Sequence, residues 1–242
     1  MSACRNVISR KGIAIFCLAI FATVGLFVTL GLTIFQPADD ELSEPVNIDV
    51  LTNSTINGDD GSESSSKLLV ELELANLTNE ATTGKVVIEL KPEWAPIGVE
   101  RFLNLTEENF WDDCRFFRVV PEFIVQFGIN GDVKKQAKWR EQKISDDLVK
   151  QTNRRGTMAF ASSGPNSRTT QMFINTVSNS FLDDSGFAPI GEVLEGMEFV
   201  DAIYDGHRQD PQQPQIQSVG NQYLLDNFPD LSYIDTGVLV EQ

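Results

Sequence analysis

Histidine and cysteine are scarce in this 242-residue chain, which contains one histidine and three cysteines. Structural zinc sites use sets of Cys and His ligands at short spacings, and His207 has no such neighbours. Cys114 is the only cysteine after residue 35, so no disulfide can form within that part of the chain. The sequence therefore predicts no metal site and a buried free thiol at Cys114, with pairing to another chain as the alternative. We predict that His207, in a polar loop, is exposed and has no role.

Basic residues are also few compared with acidic residues, and the formal net charge is −16. Residues 1–35 contain three basic and no acidic residues, so the other 16 basic and 35 acidic side chains leave a net charge of −19 after residue 35. Nucleic-acid binding needs a basic surface that displaces counterions. We therefore expect no nucleic-acid partner and a well-solvated acidic surface.

Long apolar runs are limited to residues 13–35, which contain 23 residues without a charge. As a helix this run would extend about 35 Å, enough to cross the hydrocarbon core of a bilayer. Basic residues precede it and acidic residues follow, which predicts a short cytosolic N-terminus at residues 1–12 and translocation of the rest. We interpret the run as the signal anchor of a single-pass type II protein of the endomembrane system or cell surface. A cleaved signal peptide is the main alternative.

Residues 36–66 are polar and acidic without a hydrophobic period, which predicts a flexible stalk before a folded domain at residues 67–242. Three Asn-x-Ser/Thr acceptor triplets follow the apolar run, at Asn53, Asn76 and Asn104. Such triplets are glycosylated in translocated proteins, so they agree with a lumenal or extracellular domain.

Short alternating apolar segments dominate the rest of the chain. Residues 68–74 and 86–90 predict a hairpin around a polar turn that ends at Gly84, because apolar and polar side chains alternate in both. Three- and four-residue apolar spacing predicts an amphipathic helix at residues 96–110 and a second helix at residues 197–204. Further strands are predicted at residues 115–120, 123–128, 156–161, 171–176, 190–193 and 215–218. This pattern indicates a mostly-β domain and favours a closed antiparallel barrel capped at its ends.

Residues 116–128 contain two short apolar strands split by a proline, with Arg118 and Gln126 among residues that otherwise belong in a core. A cation is seldom placed there without a partner or a task. Together with residues 158–166 and 171–174, this segment resembles the cyclophilin family of peptidyl-prolyl cis/trans isomerases. The resemblance covers about residues 67–220. It implies an eight-stranded antiparallel β-barrel capped by two helices, here preceded by one transmembrane helix.

Rotation about an X-Pro bond crosses a barrier of about 18–20 kcal/mol that comes from amide resonance. A catalyst for this step needs a hydrogen-bond donor aimed at the prolyl nitrogen and an apolar pocket for the ring, and it needs no nucleophile, metal or cofactor. The resemblance assigns the catalytic set to Arg118 as donor, Gln126 as its support, and Phe123. On residue type alone, Arg118 is equally a strand arginine paired with Asp112 or Asp113.

The resemblance also implies which residues bind the substrate. They form the walls of the proline pocket, its rim, the segment that pairs with substrate backbone and a supporting glutamine: Ile124, Ala161, Ser162, Gln171, Phe173, Phe181, Leu182 and Phe187. For the aromatic members, simple core packing is the alternative on residue type alone.

The chain departs from the family pattern at several positions. Phe117 replaces a common histidine, and we expect activity to survive because that histidine is not the donor. Ile124 stands where methionine is frequent. Phe181 stands where cyclosporin-sensitive members have tryptophan, so the indole N–H donor is missing and we predict weakened cyclosporin inhibition with catalysis largely retained. Arg168 replaces part of a small, Gly-containing run, either as a solvated loop arginine or as a residue that favours acidic side chains upstream of the proline.

The sequence thus predicts a monomeric, membrane-tethered prolyl isomerase that acts on proline-containing polypeptides and assists folding in the secretory pathway. One alternative is a catalytically weak module that binds proline-containing segments with the same fold. The other is a membrane-tethered scaffold, whose cellular role would not depend on Arg118.

Overall fold

One antiparallel sheet of nine strands carries the fold in residues 67–240, the part of the chain that the computed structural model describes. The strands are β1 (Leu68–Ala75), β2 (Thr83–Leu90), β3 (Cys114–Arg115), β4 (Arg118–Val120), β5 (Ile124–Phe127), β6 (Thr157–Phe160), β7 (Met172–Asn175), β8 (Pro189–Glu195) and β9 (Tyr233–Val240). The helices are α1 (Pro96–Glu107), α2 (Val133–Arg140), α3 (Met197–Asp201), α4 (Gln213–Val219) and α5 (Asn221–Asn227), and Ser180–Leu182 forms a 3-10 turn.

The predicted N-terminus at residues 1–12, signal anchor at residues 13–35 and stalk at residues 36–66 lie outside the described residues. Within residues 67–240, none of the helices is long and apolar enough to span a bilayer.

The strand order is β3-β9-β1-β2-β8-β6-β7-β5-β4. The two outer strands, β3 and β4, are only two residues apart in the chain, yet no ladder joins them within the described range. The sheet is therefore a half-barrel that hydrogen bonds do not close. The predicted mostly-β antiparallel fold with helices is confirmed. The predicted count of eight strands and two helices is wrong, since residues 67–240 contain nine strands and five α-helices.

The β1–β2 hairpin forms as the alternating pattern predicts. Val70, Leu72 and Leu74 are buried on one face, and the register pairs Leu68 with Leu90. Because successive strand residues point to opposite faces, the intervening glutamates stay nearer the solvent. Glu71 there accepts a hydrogen bond from Lys85 at 3.1 Å.

The main core lies between the sheet and α1. Phe102 and Leu103 of α1 are fully buried, and the Phe102 ring stacks on Trp111 with the ring centroids 4.7 Å apart. Cys114 lies at the edge of this core, and burial raises the pKa of its thiol to about 12. The predicted buried free thiol is confirmed.

The predicted strand at residues 215–218 is wrong, because these residues belong to α4. Pro214 lies in the first turn of α4, where its missing N–H costs nothing, and Ile216 is fully buried. The strand that completes the sheet is β9 instead. Its apolar alternation is hidden because a bulge opposite Glu73 and Leu74 shifts the register of β9 against β1.

The predicted exposure of His207 is also wrong, because its side chain is only 23% exposed. Its ring packs edge-on against Tyr204 and Phe228, with both centroid separations at 5.1 Å. Its Nε2 lies 3.9 Å from a carboxylate oxygen of Asp230. The half-buried imidazole thus joins the loop after α3 to the segment after α5.

Both predictions for Arg168 are wrong, because only 4% of its surface is exposed. Its guanidinium lies 3.0 Å from Asp147 and 3.3 Å from Asp146, and it also donates to the Ser145 carbonyl. The Asp147 carboxylate accepts the backbone N–H groups of Ile97 and of the next residue, in the first turn of α1. A buried cation needs such partners, so Arg168 serves to attach the loop after α2 to α1.

Candidate active site

The β4–β5 hairpin places the two polar residues of the motif opposite each other. Arg118 pairs with Gln126 across these strands, and Gln126 pairs with Phe173 of β7. Directly opposed residues project from the same face of a sheet. Glu122, in the connecting turn, takes a left-handed backbone conformation with φ 56°. The predicted Arg118, Gln126 and Phe173 therefore form one row across three strands.

Arg118 is held by neutral acceptors. Its Nη1 donates to Gln126 Oε1 at 3.0 Å, and its Nε donates to Gln209 Oε1 at 3.2 Å. Burial lowers its pKa, but a guanidinium remains charged at neutral pH. The alternative in which Arg118 pairs with a nearby aspartate is wrong, because Asp113 binds Arg115 and no carboxylate in the described residues contacts Arg118.

A chain of glutamines continues from this arginine. Gln126 Nε2 donates to Gln171 Oε1 at 2.8 Å, and Gln171 Nε2 donates to Gln213 Oε1 at 3.0 Å. Within residues 67–240, Arg118 Nη2 makes no hydrogen bond. The network therefore fixes the arginine through two of its nitrogens and leaves donors of the third available to a ligand.

An apolar cluster, here called the apolar pocket because the family resemblance assigns most of its residues to the proline site, adjoins this network. Four of its residues are buried together, and three partly buried residues pack against them: Ile124, Ala159, Phe173 and Leu182, with Phe123, Ala161 and Phe187. The Phe173 and Phe187 rings meet edge to face, with centroids 5.7 Å apart. Arg118 Cζ lies 5.9 Å from the centroid of the Phe123 ring, so the pocket and the arginine share a wall.

The other predicted substrate-binding residues lie on the solvent side of the pocket. Phe181 is 61% exposed, and its ring stacks on Phe123 at 5.9 Å with 18° between the planes. Ala161 follows β6 and donates its N–H to the Gln171 carbonyl at 2.8 Å, and Ser162 after it is exposed. These positions form a rim open to an approaching peptide.

Three buried asparagines support the pocket, and the sequence reasoning missed them. Asn179 Nδ2 donates to the Phe123 carbonyl at 2.9 Å and to Asn175 Oδ1 at 2.8 Å. Asn175 donates to Asn153, which in turn donates to the Phe187 carbonyl at 2.8 Å. The two pocket phenylalanines are thus fixed through their own backbones. The sequence does show one sign of this support, since Asn175 ends the apolar strand β7 and Asn179 follows four residues later.

Gln209 and Gln213 were not predicted as site residues. The sequence pattern predicted a strand at residues 215–218, where the structure has α4. Behind these glutamines, α4 packs through a small cluster of buried residues: Phe117, Ile129, Ile216, Leu224 and Leu231. Five glutamines between residues 209 and 217 were the visible signal. Ala159 lies opposite Phe173 and was not predicted either, because an alanine within an apolar strand does not differ from an ordinary core residue in the sequence.

Comparison with known proteins agrees with this geometry. A family model for cyclophilin type peptidyl-prolyl cis-trans isomerase/CLD matches residues 75–221. The chain is 37% identical over 158 residues to a peptidyl-prolyl cis-trans isomerase of Acinetobacter baylyi, a match that covers 58% of this chain and 82% of that protein. It is 34% identical over 135 residues to peptidyl-prolyl cis-trans isomerase B of Escherichia coli, covering 52% and 82%.

A solved structure supports the fold independently. The crystal structure of a cyclophilin type peptidyl-prolyl cis-trans isomerase from Cryptosporidium parvum matches with a TM-score of 0.54 and 20% identity, covering 73% of this chain and 99% of that chain. Family model, relatives and fold agree: this chain belongs to the cyclophilin family and is a peptidyl-prolyl cis-trans isomerase.

Proposed function

We propose that Arg118 accelerates X-Pro rotation by donating a hydrogen bond to the prolyl nitrogen in the twisted transition state. The observation that carries this proposal is the unengaged Nη2 of an arginine fixed beside an apolar pocket. In the planar amide the nitrogen lone pair is delocalised and accepts poorly. Twisting localises that lone pair, so the hydrogen bond strengthens as the barrier is reached and lowers it.

In this proposal the apolar pocket receives the proline ring while the preceding carbonyl swings. Ile124, Phe173, Leu182 and Phe187 surround the ring, and Phe123 joins them to the arginine. Gln126 supports Arg118 and is itself supported by Gln171. Ala161 and Ser162 pair with the substrate backbone at the open rim, beside Phe181.

The test is the cis-to-trans rate of a short Ala-Pro-Phe peptide with wild type, Arg118→Ala and Arg118→Lys. Removing one preorganised donor typically costs about 10²–10³ in rate, and we expect losses of that order for Arg118→Ala. Lysine keeps the charge but lacks the planar fork that two glutamines hold, so we expect it to restore little. Arg140, exposed at the end of α2, provides the matched control Arg140→Ala. A folded Arg118→Ala variant with wild-type rate would refute the proposal, and a folded wild type without acceleration would favour the proline-binding module.

We also propose that residues 13–35 anchor the chain in a membrane of the secretory pathway, where the domain assists folding of translocated proteins. The charge-free length of the run and the basic residues before it support this proposal. In microsomes, the full chain should stay in the membrane pellet after alkaline carbonate extraction, with the domain protected from added protease. Release into the supernatant would contradict the anchor, and a cut at its end would favour the cleaved signal.

For glycosylation we propose Asn53 and Asn76 as the modified residues. Asn53 lies outside the described residues, and Asn76 is exposed at the end of the β1 strand. Asn104 is half-buried in α1, and Thr106 of its triplet is buried and accepts the Trp111 indole N–H at 2.8 Å. A glycan at Asn104 would oppose the packing of α1. An endoglycosidase should therefore remove two glycans from the microsomal chain.

A further inference from the structure

A second cavity adjoins Arg118 outside the proline pocket. Its volume is about 430 Å³, and its walls are Phe117, Arg118 and six residues between positions 209 and 217. It shares Arg118, Gln209 and Gln213 with the hydrogen-bond network of the isomerisation site, and none of its lining residues belongs to the apolar pocket. We propose that this cavity is an additional subsite, which binds the backbone of an extended polypeptide on one side of the isomerised X-Pro bond. This proposal rests on the role of Arg118 proposed above.

The wall formed by residues 209–217 is fixed to the edge of the sheet. β4 is an outer strand, and Val119 N–H donates to the Arg208 carbonyl at 2.8 Å. Side chains add two further attachments, from Arg118 to Gln209 at 3.2 Å and from Gln171 to Gln213 at 3.0 Å. Such a wall is preformed, and a preformed site costs a ligand little ordering free energy.

The residues behind this wall pack into the folded domain. Ile216 on the inner side of α4 is fully buried and packs with Phe117 and Leu224. Phe117 is also the strand neighbour of Arg118, so the same residue supports the helix and lines the cavity. Pro211 and Pro214 lock two backbone φ angles in the wall.

The chemistry of the lining favours peptide groups as ligands. Four glutamines and one guanidinium line the cavity, and none of its lining residues is a carboxylate although the chain is strongly acidic. A glutamine amide offers both donors and an acceptor, as a peptide bond does. Gln217 is half-buried in the lining and makes no side-chain hydrogen bond within residues 67–240. Its amide is therefore available to a bound chain.

The position of the cavity limits what can reach it. Because it touches Arg118, only residues close to the proline in sequence can occupy it while the ring lies in the apolar pocket. A tetrapeptide that ends beside the proline would leave it empty. The subsite therefore favours extended, unfolded polypeptide over short peptides, and the favoured extension lies on one side of the proline.

The experiment compares kcat/KM of the full chain for a short Ala-Ala-Pro-Phe peptide and for versions extended by four Ser/Ala residues on either the N- or the C-terminal side. One extension should raise kcat/KM by about three- to tenfold, the effect of one or two net hydrogen bonds. Gln217→Ala should reduce this extended-to-short ratio to near one. Gln217→Glu keeps the length but removes the donor, and should also reduce it.

The matched control is Gln215→Ala, on the exposed side of the same helix, which should keep the wild-type ratio. A ratio near one for both extensions in wild type, or a ratio that survives in both Gln217 variants, would overturn the subsite. The ratio of kcat/KM for the extended peptide to kcat/KM for the short peptide tests the subsite, and kcat/KM for the short peptide alone tests the role of Arg118. Retained activity in Arg118→Ala would instead refute the proposed mechanism.

Discussion

Arg118 combines a permanent charge with acceptors that do not neutralise it. Gln126 and Gln209 offer amide oxygens where many buried arginines meet carboxylates. An ion pair would draw the guanidinium toward its partner and weaken its donation to a substrate. The glutamines fix its orientation and leave its charge uncompensated, which suits a donor that must act only when the prolyl nitrogen becomes basic.

Phe181 provides the test of the cyclosporin prediction. Its exposed ring offers an aromatic face stacked on Phe123 but no donor. Phe181→Trp adds an indole N–H at the rim, so we expect cyclosporin inhibition to strengthen by up to about tenfold, the value of one net hydrogen bond. The inhibition constant of the two proteins is the measurement. Equal inhibition constants for the two proteins would contradict the prediction.

Cys114 predicts a pH dependence of stability. Burial raises the pKa of the native thiol to about 12, whereas the thiol of an unfolded chain ionises near about 8.5. The contribution of the neutral thiol is therefore complete below that lower value and is lost as the pH rises toward 12. Relative to Cys114→Ala, the wild-type free energy of unfolding should fall by about 1.4 kcal/mol per pH unit between these values.

Urea unfolding of the two proteins at pH 8, 9.5 and 10.5 measures this difference. Using the variant as reference removes the contributions of lysine and tyrosine titration, which both proteins share. Parallel stability curves would mean that the Cys114 thiolate forms in the native state.

The attachment of the loop after α2 to α1 depends on the buried ion pair of Arg168 and Asp147. Their side chains are 5% and 3% exposed, so removing Arg168 leaves the buried Asp147 carboxylate without its cationic partner. Arg168→Ala should lower the free energy of unfolding by about 3–5 kcal/mol. The exposed pair of Arg154 and Glu192 is the matched control, and Arg154→Ala should cost less than about 1 kcal/mol. Similar losses in the two variants, measured by urea unfolding, would contradict this account.

Elements with a clean period were predictable from the sequence, and elements set by distant contacts were not. β1 shows its alternation directly, and the apolar side chains of α1 recur at three- and four-residue spacing. β2 alternates in sequence, although residues 86–90 are all buried. β9 hides its alternation behind a bulge, and α4 becomes helical around Ile216, which packs on Phe117 from a distant part of the chain. The latter pairing depends on tertiary structure that no local pattern records.

The same distinction holds in the site. The Arg118–Gln126 pair lies within one hairpin, so a local motif contains it. Gln209 reaches Arg118 from 91 residues away, and Gln213 reaches Gln171 from 42 residues away. Single-sequence reasoning has no means of pairing such distant amides, and the family resemblance named only the residues that match its motifs.

At the scale of the whole molecule, the net charge of −16 should affect which peptides are processed fastest. A negative potential raises the local concentration of cationic substrates. With flanking lysines in place of flanking glutamates, kcat/KM at 10 mM salt should be higher by roughly three- to tenfold. The difference should vanish near 1 M salt, where the Debye length is about 3 Å. Faster processing of the glutamate peptide would mean that the local charge of Arg118 outweighs the acidic surface.

The first and last strands of the sheet lie side by side, since Leu69 pairs with Val240 and Ala75 pairs with Tyr233. During synthesis, β1 therefore emerges long before its second neighbour exists. At ~5–20 residues per second this delay is on the order of 10–30 s, and the β1 edge of the β1–β2 ribbon has no partner throughout it. An unpaired strand edge invites association with other chains. A prolyl isomerase accelerates a slow folding step in other proteins. In its own biosynthesis, the time during which β1 can associate with other chains depends on the rate of translation and not on proline isomerisation.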